Sequence, residues 1–237
     1  EHPKFLPPKI AAKLDWRAGD DRGRIYRIVP KESKPRFFTP PKNIKQTIAL
    51  LQDNNAWRQF LGQRLLVRQQ LEQSIPEIRL ILQAGKSATA RLHALWTLDG
   101  MNMLETSVLL NGCIDDDPRL RSQAMRISGR HVGTPAVEAR LLRSLLDTDT
   151  TVRRYAAGAL AGAQASEIVE ELAAALDESP GDDVLRTLIV AGARDEEVLL
   201  LEELAWQEHW TEETEHRRNL LASIARSAMR SSSSEQR

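Results

Sequence analysis

The sequence predicts an all-α protein built from five to six helix pairs, preceded by a short extended segment. Two observations support this prediction. From Asn43 to about residue 230, apolar residues recur with the 3.6-residue period of a helix. Over the same stretch an apolar-Arg dipeptide returns at spacings of 30 to 33 residues. Such a period fits one helix–turn–helix unit, so we expect similar units to stack one after another.

The first 42 residues differ from the rest of the chain. The run 24–29, Arg-Ile-Tyr-Arg-Ile-Val, alternates polar and apolar residues and predicts one strand. Residues 31–42 contain three prolines and are expected to form a stiff linker. We therefore expect a strand-bearing head at 1–30, a linker at 31–42, helical repeats at 43–230 and a disordered tail at 231–237.

Each repeat is marked by an arginine that follows an apolar residue near the start of a second helix. A small or aliphatic residue stands three positions later, which favours close helix packing. Helix pairs of this spacing predict a HEAT-like α-solenoid. The dipeptides are Trp57-Arg58, Ala90-Arg91, Leu120-Arg121, Val152-Arg153 and Leu185-Arg186. The first helices are expected at about 43–52, 75–82, 103–114, 135–146, 166–176 and 196–205.

Capping residues support these boundaries. Asn43 and Ser74 are each followed three residues later by Gln or Glu, the spacing of a capping box. Asp117 and Thr134 each stand directly before a proline, which is favoured at the first helical position. Helix starts are therefore expected at these four residues.

An aspartate also precedes the recurring arginine by four positions in three repeats. We expect it to cap the helix and to face its arginine one turn later. A ladder of such residues between neighbouring repeats is one interpretation, and an arginine row that reads phosphate or carboxylate is the other. His93 and Trp96, three apart on one helix face, leave a similar choice between packing and recognition of a ligand or partner. The three pairs are Asp117/Arg121, Asp149/Arg153 and Asp182/Arg186.

The composition excludes several functional classes. Lys plus Arg and Asp plus Glu both number 33, so the net charge predicts no partner. A single cysteine excludes a disulfide framework, a cysteine-rich zinc site and a haem attachment motif. No apolar run reaches the roughly 18 residues that a membrane span needs. Charge is uneven along the chain, with twelve basic and five acidic residues in 1–45 but two basic and sixteen acidic residues in 165–216.

The other candidates for chemistry have a simpler structural interpretation. The run 115–117 lacks the glycine and distal glutamate of a calcium loop, and Cys113 has no local sign of activation. A set on one helix face lies in an acidic segment and is better explained as a solvated surface than as a metal site. That set is His209, Glu212, Glu213 and His216. We therefore predict no catalytic, cofactor-binding or metal-binding residues and no enzyme activity in this chain.

Three segments, 55–58, 63–69 and especially 90–100 (Ala-Arg-Leu-His-Ala-Leu-Trp-Thr-Leu-Asp-Gly), resemble the HEAT-repeat segment of planctomycete-type membrane-bound dehydrogenases or haem-binding proteins. Residues 17–28 look like the end of the β-propeller of that family, which is similar to glucose/sorbosone dehydrogenases. The resemblance implies that a propeller precedes and a cytochrome c follows these repeats in a larger protein. It also implies a periplasmic or exported location. The family's haem motif has no counterpart here, since Cys113 stands alone, so no cofactor is expected in this chain.

Two functions of different classes remain. The first is a non-catalytic scaffold or protein-interaction module that spaces or docks domains of a larger exported protein, with a protein or a neighbouring domain as partner. The alternative is a contribution to an oxidoreductase that acts on sugars or polyols and carries its haem elsewhere. No nucleic-acid partner is expected, because the basic excess is confined to the head.

Overall fold

The structure is a computed structural model that describes residues 6–15, 31–32, 38–206 and 213–234. Two compact units, Glu1–Pro40 and Pro41–Arg237, divide the chain. The described part of the first unit contains one short helix, α1 (Pro8–Ala11). The predicted strand at 24–29 lies outside the described residues. Throughout the described ranges the regular structure is helical, without a strand.

The second unit contains helices that alternate between two sets. The first helices are α2 (Ile44–Leu50), α4 (Ile75–Ala84), α6 (Thr106–Gly112), α8 (Pro135–Ser144), α10 (Ala165–Glu178) and α12 (Glu197–Ala205). The second helices are α3 (Ala56–Gln69), α5 (Ala88–Gly100), α7 (Pro118–Ser128), α9 (Thr150–Leu160), α11 (Asp183–Gly192) and α13 (Glu215–Ser234). Each first helix therefore lies where the sequence pattern predicts one, and the helix α13 continues four residues beyond the expected boundary at 230.

Two of the four predicted caps form as expected. Asn43 accepts a hydrogen bond from the Gln46 amide at 2.9 Å, and Asp117 accepts one from the Arg119 amide at 2.9 Å. Both bonds satisfy amides that the first helical turn leaves without partners.

Ser74 and Thr134 also stand at the predicted helix starts, but neither forms the side-chain capping bond. Ser74 ends a 3-10 turn (Glu72–Ser74) and donates its hydroxyl to the Leu71 carbonyl, and its side chain accepts no bond from the first turn of α4. Thr134 occupies the cap position without a side-chain bond. Glu138 instead reaches back to the Gly133 amide at 2.7 Å, which a capping pattern based on Thr134 does not anticipate.

The helix α6 begins three residues later than its predicted start at 103. Asn102 adopts a left-handed conformation, with φ of 56°, and the Met103 amide donates to the Leu98 carbonyl at 2.9 Å. This is a helix-ending bond of the Schellman type. Met103 and Leu104 consequently pack against the core as part of the connection.

Helices pack in two layers within the second unit. Each second helix contacts the next second helix, from α3 through α13, and the first helices from α4 through α12 do the same. The two helices of each pair, from α2 and α3 to α12 and α13, also contact each other. One cluster of buried apolar residues runs through these contacts, from Ile48 in α2 to Ile224 in α13.

Small residues bring the second helices close together. Ala94, Ala124 and Ala156 stand three positions after a recurring arginine, and all three are fully buried. Gly62 has a comparable role between α2 and α3, because a Cβ added there would lie 2.8 Å from the Leu50 Cβ. The small residues in the repeat therefore allow close packing between helices.

Candidate interaction surface

The recurring arginines first bind the turn of their own helix pair. Arg91, Arg121 and Arg153 each use Nη1 to donate to the main-chain oxygen of the residue six positions earlier. These bonds tie the start of the second helix to the turn that precedes it. The three bonds are Arg91 to Gly85 O at 2.9 Å, Arg121 to Asp115 O at 2.9 Å and Arg153 to Asp147 O at 2.8 Å.

Two of these arginines also bind the turn of the next pair. Arg91 reaches Asp115 through Nε and Nη2 at 2.8 and 2.7 Å, and Arg121 reaches Asp147 in the same way at 2.9 and 2.7 Å. All four side chains are 14–16% exposed. The planar guanidinium matches the carboxylate with two parallel bonds, so these pairs fix both distance and orientation between repeats.

The structure corrects the expected pairing between an aspartate and the arginine four positions later. Asp117 caps α7 but pairs with Arg119 at 2.7 Å, while Arg121 binds Asp147 in the next repeat. The acceptor lies two residues before the helix cap, because from there its carboxylate reaches the preceding repeat while also accepting the cap residue's amide. Asp115 accepts from the Asp117 amide and Asp147 from the Asp149 amide, both at 2.8 Å.

The link between α9 and the next turn uses a different donor and a different acceptor. The position equivalent to Asp115 and Asp147 is Pro180, which carries no carboxylate. Arg154 instead binds the cap residue Asp182 through Nε, at 3.0 and 3.1 Å. The buried Nε of Arg153 consequently has no hydrogen-bond partner among the described residues.

The arginines at the two ends of the series pair within their own repeat. Arg58 binds Asp53 at 3.1 Å, and the equivalent acceptor position in the next turn is occupied by Gly85. Arg186 binds Asp183, three residues earlier, at 2.7 Å. Among the residues that the structure describes, bidentate pairing to the next repeat is therefore seen for Arg91 and Arg121.

His93 and Trp96 connect three consecutive second helices. The His93 Nδ1 lies 2.6 Å from the Gln63 Oε1 on α3, and burial lowers the pKa of this histidine. On the other side, the Arg126 guanidinium of α7 stacks 5.7 Å from the centre of the Trp96 ring. These contacts place both residues between helices, in a cation–π arrangement that leaves N–H groups of Arg126 available.

Charge is divided between the two helix layers. The second helices contain fourteen arginines and three carboxylates, Asp99, Asp183 and Glu215, which is a surplus of eleven positive charges. The first helices contain four cations and ten carboxylates, which is a surplus of six negative charges. The sequence shows only that charge is uneven along the chain. The fold places the positive surplus in the second-helix layer and the negative surplus in the first-helix layer.

A groove of about 580 Å³ crosses the second-helix layer at α7, α9 and α11. Its lining combines two arginines, an aromatic and an aliphatic side chain with several residues that have little or no side chain. The lining residues are Arg126, Gly129, Thr151, Arg154, Tyr155, Gly158, Ala159, Gly162 and Leu188. Sequence reasoning missed this groove, because its residues come together only through contacts between consecutive repeats.

The remaining candidates from the sequence are Cys113 and the possible metal ligands around His209. Cys113 is buried beside the Ser128 hydroxyl at 3.6 Å, and burial raises the pKa of its thiol. His209 and Glu212 lie outside the described residues. Among the residues that the structure describes, no group of three His, Cys, Asp or Glu side chains is placed to hold a metal ion.

No described helix combines the length and apolarity needed to cross a membrane. The chain matches no protein-family model and no curated protein.

Proposed function

We propose that the helices α2 to α13 form a HEAT-like α-solenoid that acts as a non-catalytic scaffold or protein-interaction module. One observation supports this above all others. Consecutive helix pairs pack in two layers, and ion pairs such as Arg91–Asp115 and Arg121–Asp147 link one pair to the next. Stacked repeats of this kind provide an extended and well-ordered surface, which suits the binding or spacing of other domains.

In this proposal the second helices engage the partner. Their surplus of arginine favours association with an acidic protein surface. Trp57 and Phe60 on α3 are 60% and 58% exposed, and large aromatic side chains often anchor protein interfaces. Arg64 and Arg68 continue the same helix face at intervals of about one turn.

Partner capture tests the proposed function. The full chain is immobilised, and bound proteins are recovered from an extract of the source cells. The double variant Arg64→Glu/Arg68→Glu reverses two exposed charges of the second-helix layer and should abolish capture. The matched control Lys45→Glu/Arg143→Glu reverses two exposed charges of the first helices and should retain it. Equal capture by both variants, with unchanged circular dichroism, would contradict the assignment of the second helices as the binding layer.

We also propose that this module spaces or docks domains of a larger exported, dehydrogenase-like protein. The support is the resemblance of segments 55–58 and 90–100 to the repeat segment of such proteins. The neighbouring coding sequence tests this setting. Propeller strands upstream and a Cys-x-x-Cys-His motif downstream are expected, and the absence of both from the complete gene would rule the setting out.

A further inference from the structure

The groove across α7, α9 and α11 has the size and chemistry of a binding site. Its volume of about 580 Å³ falls within the range of about 300–1,000 Å³ that is typical of ligand pockets. Tyr155 and Leu188 contribute apolar surface from neighbouring helices, and Arg126 contributes positive charge. An apolar groove with a cation beside it suits a ligand that carries both an apolar group and an anion.

Gly158 keeps this groove open without an evident structural need for glycine. It is exposed in the middle of α9, and its φ is not positive. A Cβ added at this position would meet only the Leu188 Cδ2, at the ordinary contact distance of 3.8 Å. Glycine weakens a helix interior relative to alanine. The lack of a side chain does, however, allow another backbone to approach closely.

Arg126 is positioned to bind an anion. It is exposed, it stacks on Trp96 at 5.7 Å, and no ion pair to a carboxylate forms with it in the described parts of the chain. Arg154, in the same groove, is already held by Asp182. A guanidinium oriented by an aromatic ring retains in-plane N–H groups that suit a carboxylate.

The surroundings favour a polypeptide over a nucleic acid. Nucleic-acid backbones carry closely spaced phosphates, and their binding requires several cations in a row. Within the groove, Arg126 is the one lining arginine without a carboxylate partner among the described residues. Neighbouring packed helices lie about 8–10 Å apart, so a path across three of them accommodates about six extended residues at roughly 3.3 Å each.

We propose that the groove lined by Arg126, Tyr155, Gly158 and Leu188 binds an extended acidic polypeptide segment. A carboxylate of this segment pairs with Arg126, and an apolar side chain enters between Tyr155 and Leu188 where Gly158 leaves space. The inference rests on the proposed interaction function and adds to it the site and the chemical class of the partner.

Peptide selection with the full chain tests this site. A displayed library of random twelve-residue peptides is selected against the immobilised protein, and the dissociation constants of selected peptides are measured by fluorescence anisotropy. Enrichment of peptides that combine Asp or Glu with a large apolar residue is expected. Arg126→Glu and Gly158→Leu should each weaken binding at least tenfold. The matched controls Arg143→Glu and Ala139→Leu on α8 should change it less than twofold.

Circular dichroism and thermal unfolding of each variant verify the fold, and Arg126→Gln provides a milder charge removal. Selection of basic peptides, or of none, would overturn the inference. So would tighter binding of a ten-base single-stranded oligonucleotide that the same two variants weaken. Peptides whose binding is unchanged by both groove variants but is lost in Arg64→Glu/Arg68→Glu would overturn this site while supporting the proposed interaction function. Failure of partner capture as well would reject both.

Discussion

At the residue scale, one position decides whether Arg58, Arg91, Arg121 and Arg153 pair with the next repeat. The position lies two residues before the cap of the next second helix. Where it holds Asp115 or Asp147, the arginine of the preceding repeat forms a bidentate pair. Where it holds Gly85 or Pro180, that pair does not form. Arginines at equivalent positions therefore form different ion pairs, because the residue that would accept from them lies in the next repeat.

Loss of the Arg121–Asp147 pair should destabilise the protein. Arg121→Met and Asp147→Asn each leave a partner that is 14% exposed without its charge complement, so we expect a loss of about 2 kcal/mol for each variant in the free energy of unfolding. Urea unfolding measures this loss, and a double-mutant cycle gives the coupling. Arg119→Met, which removes a pair with a 69% exposed arginine, is the control and should cost less than about 1 kcal/mol. Equal losses for all three variants would argue against a special role of the inter-repeat pair.

Acid should weaken the fold through aspartates in these turns. The Arg119 side chain lowers the pKa of Asp117 to about 2. Burial alone raises the pKa of Asp147, but bonds from Arg121 and the Asp149 amide lower it by more. Both folded pKa values lie below the unfolded value of about 3.9, so the stabilisation is complete above about pH 5 and is lost as the pH falls from about 4 towards 2. Thermal unfolding between these pH values should show this decline.

The variants Asp117→Asn and Asp147→Asn test the origin of the acid effect. Each should be less stable than the natural chain at neutral pH and should lose less stability on acidification. An unchanged pH dependence in both variants would show that other groups cause the decline.

At the element scale, the separation between helices depends on small residues. Gly62 lets α3 approach α2, since a Cβ there would also lie 3.1 Å from the Thr47 carbonyl oxygen. Gly158 in α9 has no such constraint, because its Cβ would meet Leu188 at 3.8 Å. The same substitution should therefore have opposite effects in the two helices.

Gly62→Ala should lower the free energy of unfolding by about 1–3 kcal/mol, because the added methyl forces the two helices apart. Gly158→Ala should raise it by about 0.5–1 kcal/mol through helix propensity. Urea unfolding of the two variants provides the comparison. A destabilised Gly158→Ala protein would mean that the glycine is needed for folding, which would remove one support for the groove as a binding site.

The link after α9 gives a second prediction at this scale. Pro180→Asp places a carboxylate at the position equivalent to Asp147, where the buried Nε of Arg153 lacks a partner among the described residues. We expect this variant to be about 1–2 kcal/mol more stable than Pro180→Ala, which removes the proline without adding an acceptor. The difference should disappear when Arg153 is replaced by methionine. A difference that persists in that background would exclude the proposed pair.

At the scale of the whole molecule, two layers with opposite charge surpluses explain how a neutral chain can have distinct surfaces. The net charge is zero, yet the second helices are basic and the first helices acidic. Opposite surpluses attract different partners and guide their approach. Net charge alone therefore says little about the partners of this protein.

Stability should vary along the repeat array. Inner second helices such as α7 and α9 contact a second helix on either side, whereas α13 contacts α11 alone within its layer, and its Leu221 and Met229 are exposed. Because repeat stability depends on nearest neighbours, amide exchange in α7 and α9 should be at least about tenfold slower than in α13. Hydrogen-exchange mass spectrometry measures this gradient. Uniform protection would instead indicate that the second unit opens as one cooperative block.

Most helices of the second unit were predictable from the sequence, but the candidate site was not. The 3.6-residue period locates every first helix, and the recurring arginine marks the start of five second helices, because both are local properties of the chain. The helix starts at Ser74 and Thr134 were predicted correctly, but their capping bonds were not, since the Ser74 hydroxyl donates to Leu71 and Glu138 accepts from the Gly133 amide. The repeated Asp-x-Asp at 115–117 and 147–149 was the available signal for the inter-repeat acceptors, but spacing alone cannot tell an acceptor in the same repeat from one in the next.

The sequence by itself determined the helical character of the described residues between 43 and 230, the repeat length and the positions of the arginines. Tertiary structure decided which carboxylate each arginine binds, how charge divides between layers, and that Arg126, Tyr155, Gly158 and Leu188 line one groove. The physical reason is the range of the interactions. Helix periodicity and capping act within about four residues, whereas the ion pairs of Arg91, Arg121 and Arg154 span 24 to 28 residues and arise only when one repeat packs against the next.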